Sequence, residues 1–171
     1  MTPIEWRIDT HRVGPAELGK PLPEALAGDL DSHYAARLIA DARPVDTFVF
    51  DDPPLVAIVD GPFAKSDGNP QGATDRLRAA AVAAARGGAT IVGLMITGSG
   101  PRTATGLGVG STFAELQAAY SDFRLSAIPP TLGHDECIGK TPQLPGVAFV
   151  FPTCAKAKSG TPVARIDVSA E

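Results

Sequence analysis

Short apolar runs bounded by proline, glycine or polar residues recur along the chain and predict β-strands. Two of them, Val56–Val59 in PPLVAIVDG and Val147–Val150 in PGVAFVFPTC, are closely similar. Apolar runs of about four to eight residues between turn signals are typical of buried strands. Further strands are predicted at Thr47–Phe50, at Thr90–Thr97, around Cys137 and at Val163–Val168.

Two of these runs also predict how their strand lies in a sheet. ATIVGLMIT is apolar almost throughout, which is typical of an interior strand covered on both faces. ARIDVS alternates strictly, which predicts one buried and one solvent-facing side.

The similarity of the two runs extends upstream in an almost constant register. Val147 lies 91 residues after Val56, and the same shift places Pro54 on Pro145. It also aligns LGKPLPEAL, which begins at Leu18, with VGSTFAELQ, which begins at Val109. A register kept over that distance predicts an internal duplication.

Downstream the offset falls to 72 residues, where GATIV from Gly88 matches GTPVA from Gly160. The difference predicts about 19 extra residues in the first copy, within GNPQGATDRLRAAAVAAARGG. Alanine, leucine and arginine are strong helix formers, Thr74 is a suitable N-cap, and Gly87 can end a helix. The extra segment is therefore predicted to be a helix near residues 74–86.

The predicted fold is α+β, with two tandem repeats of a helix followed by an antiparallel β-meander. The first repeat covers residues 1–98 and includes the inserted helix, the second covers 99–171, and both are expected to pack as one globular unit. Each repeat begins with a predicted helix, at Pro21–Leu30 and Ser111–Tyr120, and a further helical piece is predicted at Ser32–Ala42. Thr112 and Glu115 have the spacing of a capping box at the start of the second of these helices.

Composition and charge narrow the classes of function. Apolar residues make up 44% of the 171 residues and charged residues 20%, which is typical of a globular domain with a core. The net charge of -4, without a cluster of lysine and arginine, disfavours a nucleic-acid partner. No apolar run approaches the roughly 20 residues of a membrane-spanning helix. MTPIEWRID lacks the pattern of a signal peptide, so we expect either a cytosolic protein or a chain from which a leader has been removed.

The two cysteines, Cys137 and Cys154, flank a turn-rich stretch and a predicted strand. If Cys137 lies on the neighbouring antiparallel strand, the two side chains face each other across a hairpin. A disulfide there would stabilise the fold by roughly 3 kcal/mol in the chain-entropy account. The alternative is a pair of buried thiols in a cytosolic protein.

Glycines crowd the stretch TGSGPRTATGLGVGS ahead of a predicted helix, as in phosphate-binding loops. The dinucleotide spacing fails, because Ser111 stands where the third glycine belongs, and the phosphate-binding lysine is absent. The stretch is interpreted as a linker between the two copies. Ser99 lacks the flanking residues of a nucleophile elbow, since Gly98 directly precedes it.

His134, Asp135, Glu136 and Cys137 are four consecutive metal-ligand types, but zinc sites draw ligands from separated segments. We interpret the group as a polar turn before a strand. The carboxylate pair Asp51–Asp52 precedes two prolines and is interpreted as a solvated turn. The sequence therefore assigns no catalytic residue, no cofactor and no metal ligand.

GLGVGSTFAELQAAY resembles the opening of small helix-then-meander modules found in bacterial envelope proteins. A tandem pair of such modules is similar to the architecture of the β-lactamase inhibitory protein, and single modules resemble small outer-membrane assembly lipoproteins. The resemblance implies the fold and an exported location: periplasmic, secreted or lipid-anchored. It implies no inhibitory activity and no binding residues, since fold does not determine function.

The expected function is a non-catalytic domain, exported or associated with the envelope, that binds another protein. Aromatic side chains often carry interface energy, which makes Trp6, Tyr34, Tyr120 and Phe123 the candidate contact residues. The alternatives are a small-molecule hydrolase or ligand-binding protein with its site in a cleft between the two halves, and a cytoplasmic location.

Overall fold

The computed structural model describes residues 3–40, 42–62, 73–127, 137–152 and 160–170. Within these residues the chain is mostly strand, arranged in two sheets with three helices, so the prediction of an α+β fold is confirmed. No helix among the described residues is long and apolar enough to cross a membrane.

The strands and helices have the following bounds. The first half of the chain contains β1 (Arg7–Asp9), β2 (Arg12–Val13), β3 (Ala16–Glu17), α1 (Leu30–His33), β4 (Tyr34–Ala40), β5 (Arg43–Phe50), β6 (Leu55–Asp60), α2 (Ala73–Arg86) and β7 (Ile91–Ile96). The second half contains β8 (Arg102–Thr103), α3 (Phe113–Ala119), β9 (Arg124–Ala127), β10 (Cys137–Lys140), β11 (Val147–Phe151) and β12 (Arg165–Ser169).

The large sheet has eight strands in the order β4-β5-β6-β7-β12-β11-β10-β9. Every neighbouring pair in it is antiparallel. It consists of two four-stranded meanders that meet where β7 pairs with β12, from Gly93–Ser169 to Ile96–Ile166. The two halves of the chain therefore form one continuous sheet, with the same strand order counted outward from the junction.

Backbone hydrogen bonds at the start of β7 and just before β12 also correspond. Gly19 N–H donates to the Ile91 carbonyl at 2.8 Å, and Gly110 N–H donates to the Val163 carbonyl at 2.9 Å. In return, Ile91 N–H donates to Lys20 and Val163 N–H donates to Ser111, both at 2.8 Å. These partners are related by the offsets of 91 and 72 residues read from the sequence.

One strand departs from the sequence register by a single residue. Leu55 pairs with Ile96, and Val147 pairs with Val168, so Leu55 corresponds to Val147 in the sheet. The alignment of Val56 with Val147 is therefore wrong at this strand. A slip of one residue would exchange the buried and outward faces, and both Leu55 and Val147 are fully buried.

The predicted strands of the meanders are confirmed, since each coincides with one of β5, β6, β7, β10, β11 and β12. ATIVGLMIT lies between β6 and β12 as β7, so its interior position in the sheet is confirmed. The predicted cover on both faces is wrong, because Met95 lies on the face away from the core and is only half-buried. In β12, Ile166 and Val168 are buried and the intervening residues are more exposed, as the alternation predicted.

Two of the predicted helices form as expected. The inserted helix is α2, with Asp75 in its first turn and Arg86 in its last, where each charge suits the helix dipole. The helix of the second half is α3, where Thr112 accepts from Glu115 N–H and the Glu115 carboxylate accepts from Thr112 N–H at 2.7 Å. The predicted capping box is confirmed.

The other two predicted helices are wrong. Residues 21–29 form turns rather than a helix, and only the four-residue α1 follows them. Pro21 forms a β-bridge with Thr90, and Leu22 is disfavoured in the helical conformation because it precedes Pro23. Residues 34–40 form β4, because pairing with β5 outweighs the helical preference of alanine, arginine and leucine.

The core lies on one face of the large sheet. That face is covered by α1, by the apolar side of α2, by α3 and by the small sheet of order β3-β2-β1-β8, whose Ile8, Val13 and Ala16 join the cluster. The small sheet was not predicted, because strands of two or three residues are too short to show a period. Because the small sheet and the helices cover this face, the opposite face of the large sheet points outward.

Candidate binding surface

The strand register defines which residues face away from the core. Val49 pairs with Val56, Val56 pairs with Met95, and Met95 pairs with Asp167. Directly paired residues share a face of a sheet, and alternate residues along a strand share it too. This row therefore marks the outward face, which we call the outer face.

The outer face of the first half is apolar. We call its accessible part the apolar strip, which consists of Leu38, Val49, Val56, Ile58 and Met95. The Leu38 side chain is 53% exposed and Val49 is 40% exposed, whereas the other three are half-buried. Val45 and Thr47 lie on the same face and are buried.

An exposed apolar group of this kind is the feature of the described surface that points to a partner. Scattered apolar side chains are normal on a protein surface, but contiguous ones mark sites of interaction. The row of Val49, Val56 and Met95 crosses three adjacent strands, so these side chains are direct neighbours. This row of outward side chains results from strand alternation, because the same strands bury Phe48, Phe50 and Leu94 on their other side.

The outer face of the second half is more polar. Arg165 donates to both carboxylate oxygens of Asp167, at 2.9 and 3.2 Å. Arg124 on β9 lies opposite Lys140 on β10, and both residues are exposed. Ile138, Ala148 and Val150 lie on the same face, so the second half of the outer face combines apolar residues with charged ones.

A buried charged cluster lies on the core side of β4 and β5. Asp46 is 1% exposed and accepts two hydrogen bonds from Arg37, at 2.9 and 2.8 Å. Arg37 also donates to the Pro62 carbonyl at 2.9 Å, and the Tyr34 hydroxyl lies 3.4 Å from Asp46. Breaking such a pair is costly because it leaves a buried charge without a partner.

The cluster shifts two pKa values in the same direction. Burial raises the pKa of the Tyr34 phenol, and the Asp46 carboxylate raises it further. The hydrogen bond to Asp46 raises the pKa of the Arg37 guanidinium, which outweighs the opposing effect of burial. Both oxygens of the Asp46 carboxylate accept hydrogen bonds from Arg37 or Tyr34. We therefore interpret the cluster as a structural link between β4 and β5 rather than as an acid or base.

A shallow cleft opens on the outward side of the small sheet, with a volume of about 480 Å³ and a lining of Glu5, Arg7, Asp9, Arg12 and Gly14. Arg12 Nε lies 3.5 Å from an Asp9 carboxylate oxygen. The cleft is formed by β1 and β2 and not by the junction of the two meanders, which is a hydrogen-bonded strand pair. A cleft between the two halves therefore stays a prediction.

Three of the four aromatic residues predicted to contact a partner are in the core. Tyr34 is 8% exposed, Tyr120 is 5% exposed and Phe123 is 2% exposed, so their rings are not available to a partner. Trp6 is partly buried and packs against the core cluster. The correction has a simple cause: a chain with 6% aromatic residues uses most of them to fill its interior.

The remaining sequence candidates fall into two groups. Cys137 is buried on β10, which pairs with β11 as the disulfide prediction required. Cys154, His134, Asp135 and Glu136 lie outside the described residues, so the disulfide stays a prediction. Within the described residues, no three histidine, cysteine, aspartate or glutamate side chains are grouped to hold a metal ion.

The apolar strip was missed by sequence reasoning, although alternation contained the signal. In PVDTFVF and LVAIVD both alternating sets are apolar, so hydropathy alone does not show which set faces the core. Aromatic residues at Phe48 and Phe50 indicate the core side, and Val49 then falls on the outer face.

Comparisons with known proteins support the fold and assign no activity. No protein-family model and no curated protein matches the chain. Among solved structures, the chain is similar to the crystal structure of the uncharacterized protein yfeY from Escherichia coli, with a TM-score of 0.55 and 17% sequence identity. The match covers 96% of this chain and 99% of that one, so the two share a fold over nearly their whole lengths.

Proposed function

We propose that this protein is a non-catalytic binding domain of the bacterial envelope or the extracellular space, and that it binds another protein through the apolar strip. The observation that carries the proposal is the exposure of Val49 beside Val56 and Met95, with Ile58 and the exposed Leu38 farther along the same sheet face. A partner that covers these side chains removes apolar surface from water, which stabilises the complex by about 25 cal/mol per Å² of apolar surface buried.

The location is supported by the resemblance to envelope modules and by the predicted disulfide. A disulfide between Cys137 and Cys154 would belong to an oxidising compartment. Buried Cys137 lies opposite Phe151, three residues before Cys154 in the chain.

We also propose that the two halves, residues 1–98 and 99–171, are copies of one unit. The matching strand order around the β7–β12 junction supports this, as do the matched hydrogen bonds of Gly19 and Gly110. The first copy then carries α2 as its insertion, and the buried Asp46 occupies the place that Cys137 has in the second copy.

The test of partner binding compares three baits. Wild-type protein, the Val49→Asp variant and the Ile4→Asp control are immobilised, and envelope and secreted fractions of the native host are passed over each. Ile4 is 51% exposed and lies outside the sheets, so the control adds the same charge elsewhere.

We expect a partner that wild type and Ile4→Asp retain equally and that Val49→Asp binds at least about tenfold more weakly. The reason is that an aspartate buried in an apolar contact loses its hydration without gaining a partner. Identical protein profiles from all three baits, measured by quantitative mass spectrometry, would contradict the proposal.

A further inference from the structure

Charged residues on the outer face are predominantly basic, although the whole chain has a net charge of -4. The outward positions of the eight strands hold Arg43, Arg124, Lys140 and Arg165 against Asp60 and Asp167. Four cations and two carboxylates give this face a net charge of +2. The outer face is therefore locally positive on an acidic protein.

The positive charges available to a ligand lie to one side of the apolar strip. Arg165 is paired with Asp167, whereas Arg124 on β9 and Lys140 on β10 are exposed. Arg124 Nη1 donates to the Phe123 carbonyl at 3.0 Å, and its charge acts on Asp122 nearby. Three strand spacings, about 14 Å, separate β10 from Met95 on β7, and five spacings, about 24 Å, separate it from Val49 on β5. One ligand of modest size can span both features.

We propose that the partner presents an acidic protein segment, with apolar side chains on the strip and carboxylates at Arg124 and Lys140. The inference rests on the proposed function and adds the chemistry of the partner. Opposite charges beside an apolar contact fix the orientation of a ligand and speed its association.

A protein segment fits this face better than an anionic membrane does. Surfaces that insert into lipid rely on protruding aromatic and leucine side chains. The strip contains no aromatic residue, Leu38 is its one leucine, and Val56, Ile58 and Met95 are half-buried between neighbouring strands. A flat apolar strip of this kind suits a complementary protein surface.

The test uses a phage-displayed library of random 14-residue peptides, selected against the whole immobilised protein. Enriched peptides are then measured on wild type, Val49→Asp, the double variant Arg124→Glu/Lys140→Glu and the control Arg7→Glu/Lys20→Glu. The control changes the net charge equally at exposed positions away from the outer face. Vesicles containing anionic lipid are measured in parallel on the same four proteins.

We expect enriched peptides that combine apolar residues with aspartate or glutamate. Their affinity should fall at least about tenfold in Val49→Asp and in Arg124→Glu/Lys140→Glu, remain unchanged in the control, and weaken as salt is raised.

Apolar peptides without acidic residues that lose affinity only in Val49→Asp would overturn this inference and leave the proposed function standing. If no peptide depends on Val49, both proposals fail. Vesicle binding that depends on Arg124 and Lys140, without acidic peptides, would replace the protein segment with a lipid surface.

Discussion

At the scale of single residues, the most constrained site in the first half is the Arg37–Asp46 pair with Tyr34 beside it. The pair stabilises the edge of the sheet through two hydrogen bonds from Arg37 to Asp46 and a third from Arg37 to the Pro62 carbonyl. Its sequence signal is weak, because an alternating DxF pattern does not distinguish a buried aspartate from a solvated one. Only the pairing of β4 with β5 brings the three side chains together.

The raised pKa of Tyr34 predicts a loss of stability at high pH. The folded state holds the phenol proton more tightly than the unfolded state, so this contribution is complete below about pH 10 and is lost as pH rises through the folded pKa. We expect the Tyr34→Phe variant to be less stable by about 1 kcal/mol at neutral pH and to lose less stability above pH 10.

The measurement is denaturant unfolding at several pH values, together with titration of tyrosine absorbance. The late step in the absorbance titration should disappear in Tyr34→Phe. A wild-type curve without a step above the usual tyrosine range would contradict the prediction.

The ring of Phe123 lies directly over Gly139, where a Cβ atom would overlap it. Gly139 occupies the place in the second meander that Phe48 has in the first, so an aromatic ring from outside the strand fills the space. We expect Gly139→Ala to destabilise the fold by about 1–3 kcal/mol through overpacking.

The Gly160→Ala variant is the matched control, because nothing lies within 4 Å of a Cβ at that position. Combining Gly139→Ala with Phe123→Leu should restore part of the stability, since leucine can yield space. Independent, additive losses in thermal unfolding would show that the two residues do not interact.

At the scale of elements, the predicted helices show which structures local sequence decides and which tertiary contacts decide. The α3 capping box is a local device, so the sequence predicted both its residues and their bonds. Residues 34–40 carry good helix formers, yet they form a strand because β5 supplies a row of hydrogen-bond partners. Propensity differences of a few tenths of a kcal/mol per residue do not compete with that pairing.

Gly19 and Gly110 give a matched test of the proposed duplication at this scale. Both have positive φ angles, +78° and +91°, and neither has an atom within 4 Å of a Cβ. We expect Gly19→Ala and Gly110→Ala to lower the free energy of unfolding by a similar amount, about 1–2 kcal/mol each, because alanine is strained in this conformation.

The control is Gly28→Ala, which has open space and no positive φ and should be neutral or slightly stabilising. Chemical denaturation of the three variants measures the effect. A loss confined to one of the two glycines would argue against equivalent roles in the two halves.

At the scale of the whole molecule, the continuous eight-stranded sheet decides which surfaces exist. The β7–β12 pair joins the halves, so the sheet offers one broad outer face rather than a groove between domains. We therefore propose a binding function for the outer face. The small polar cleft, where Arg12 lies beside Asp9, carries no proposal.

The compartment is tested through the cysteines. We expect Cys137 and Cys154 to form a disulfide in protein purified from an oxidising compartment, because Cys137 lies on the strand next to β11. Peptide mapping by mass spectrometry without reductant should identify the linked pair, and its reduction should lower the melting temperature. Thiols that both react with an alkylating reagent in the native protein would contradict the export proposal.

The sequence by itself determined the features that depend on local order: six of the eight strands of the meanders, the inserted helix, the capping box and the α+β class. These follow from periodicity, turn residues and caps, which act over a few positions. It also predicted an internal duplication, and the strand pairing departs from that alignment by one residue at Val56.

Only the tertiary structure decided the rest, because each remaining feature depends on partners far apart in the chain. Tyr34, Tyr120 and Phe123 became core residues when the helices and the small sheet closed over one face of the large sheet. Val49 became exposed for the same reason, since apolar residues alternate on both sides of β5 and β6 and only one side could be covered. The candidate site is thus a consequence of which face the other elements bury.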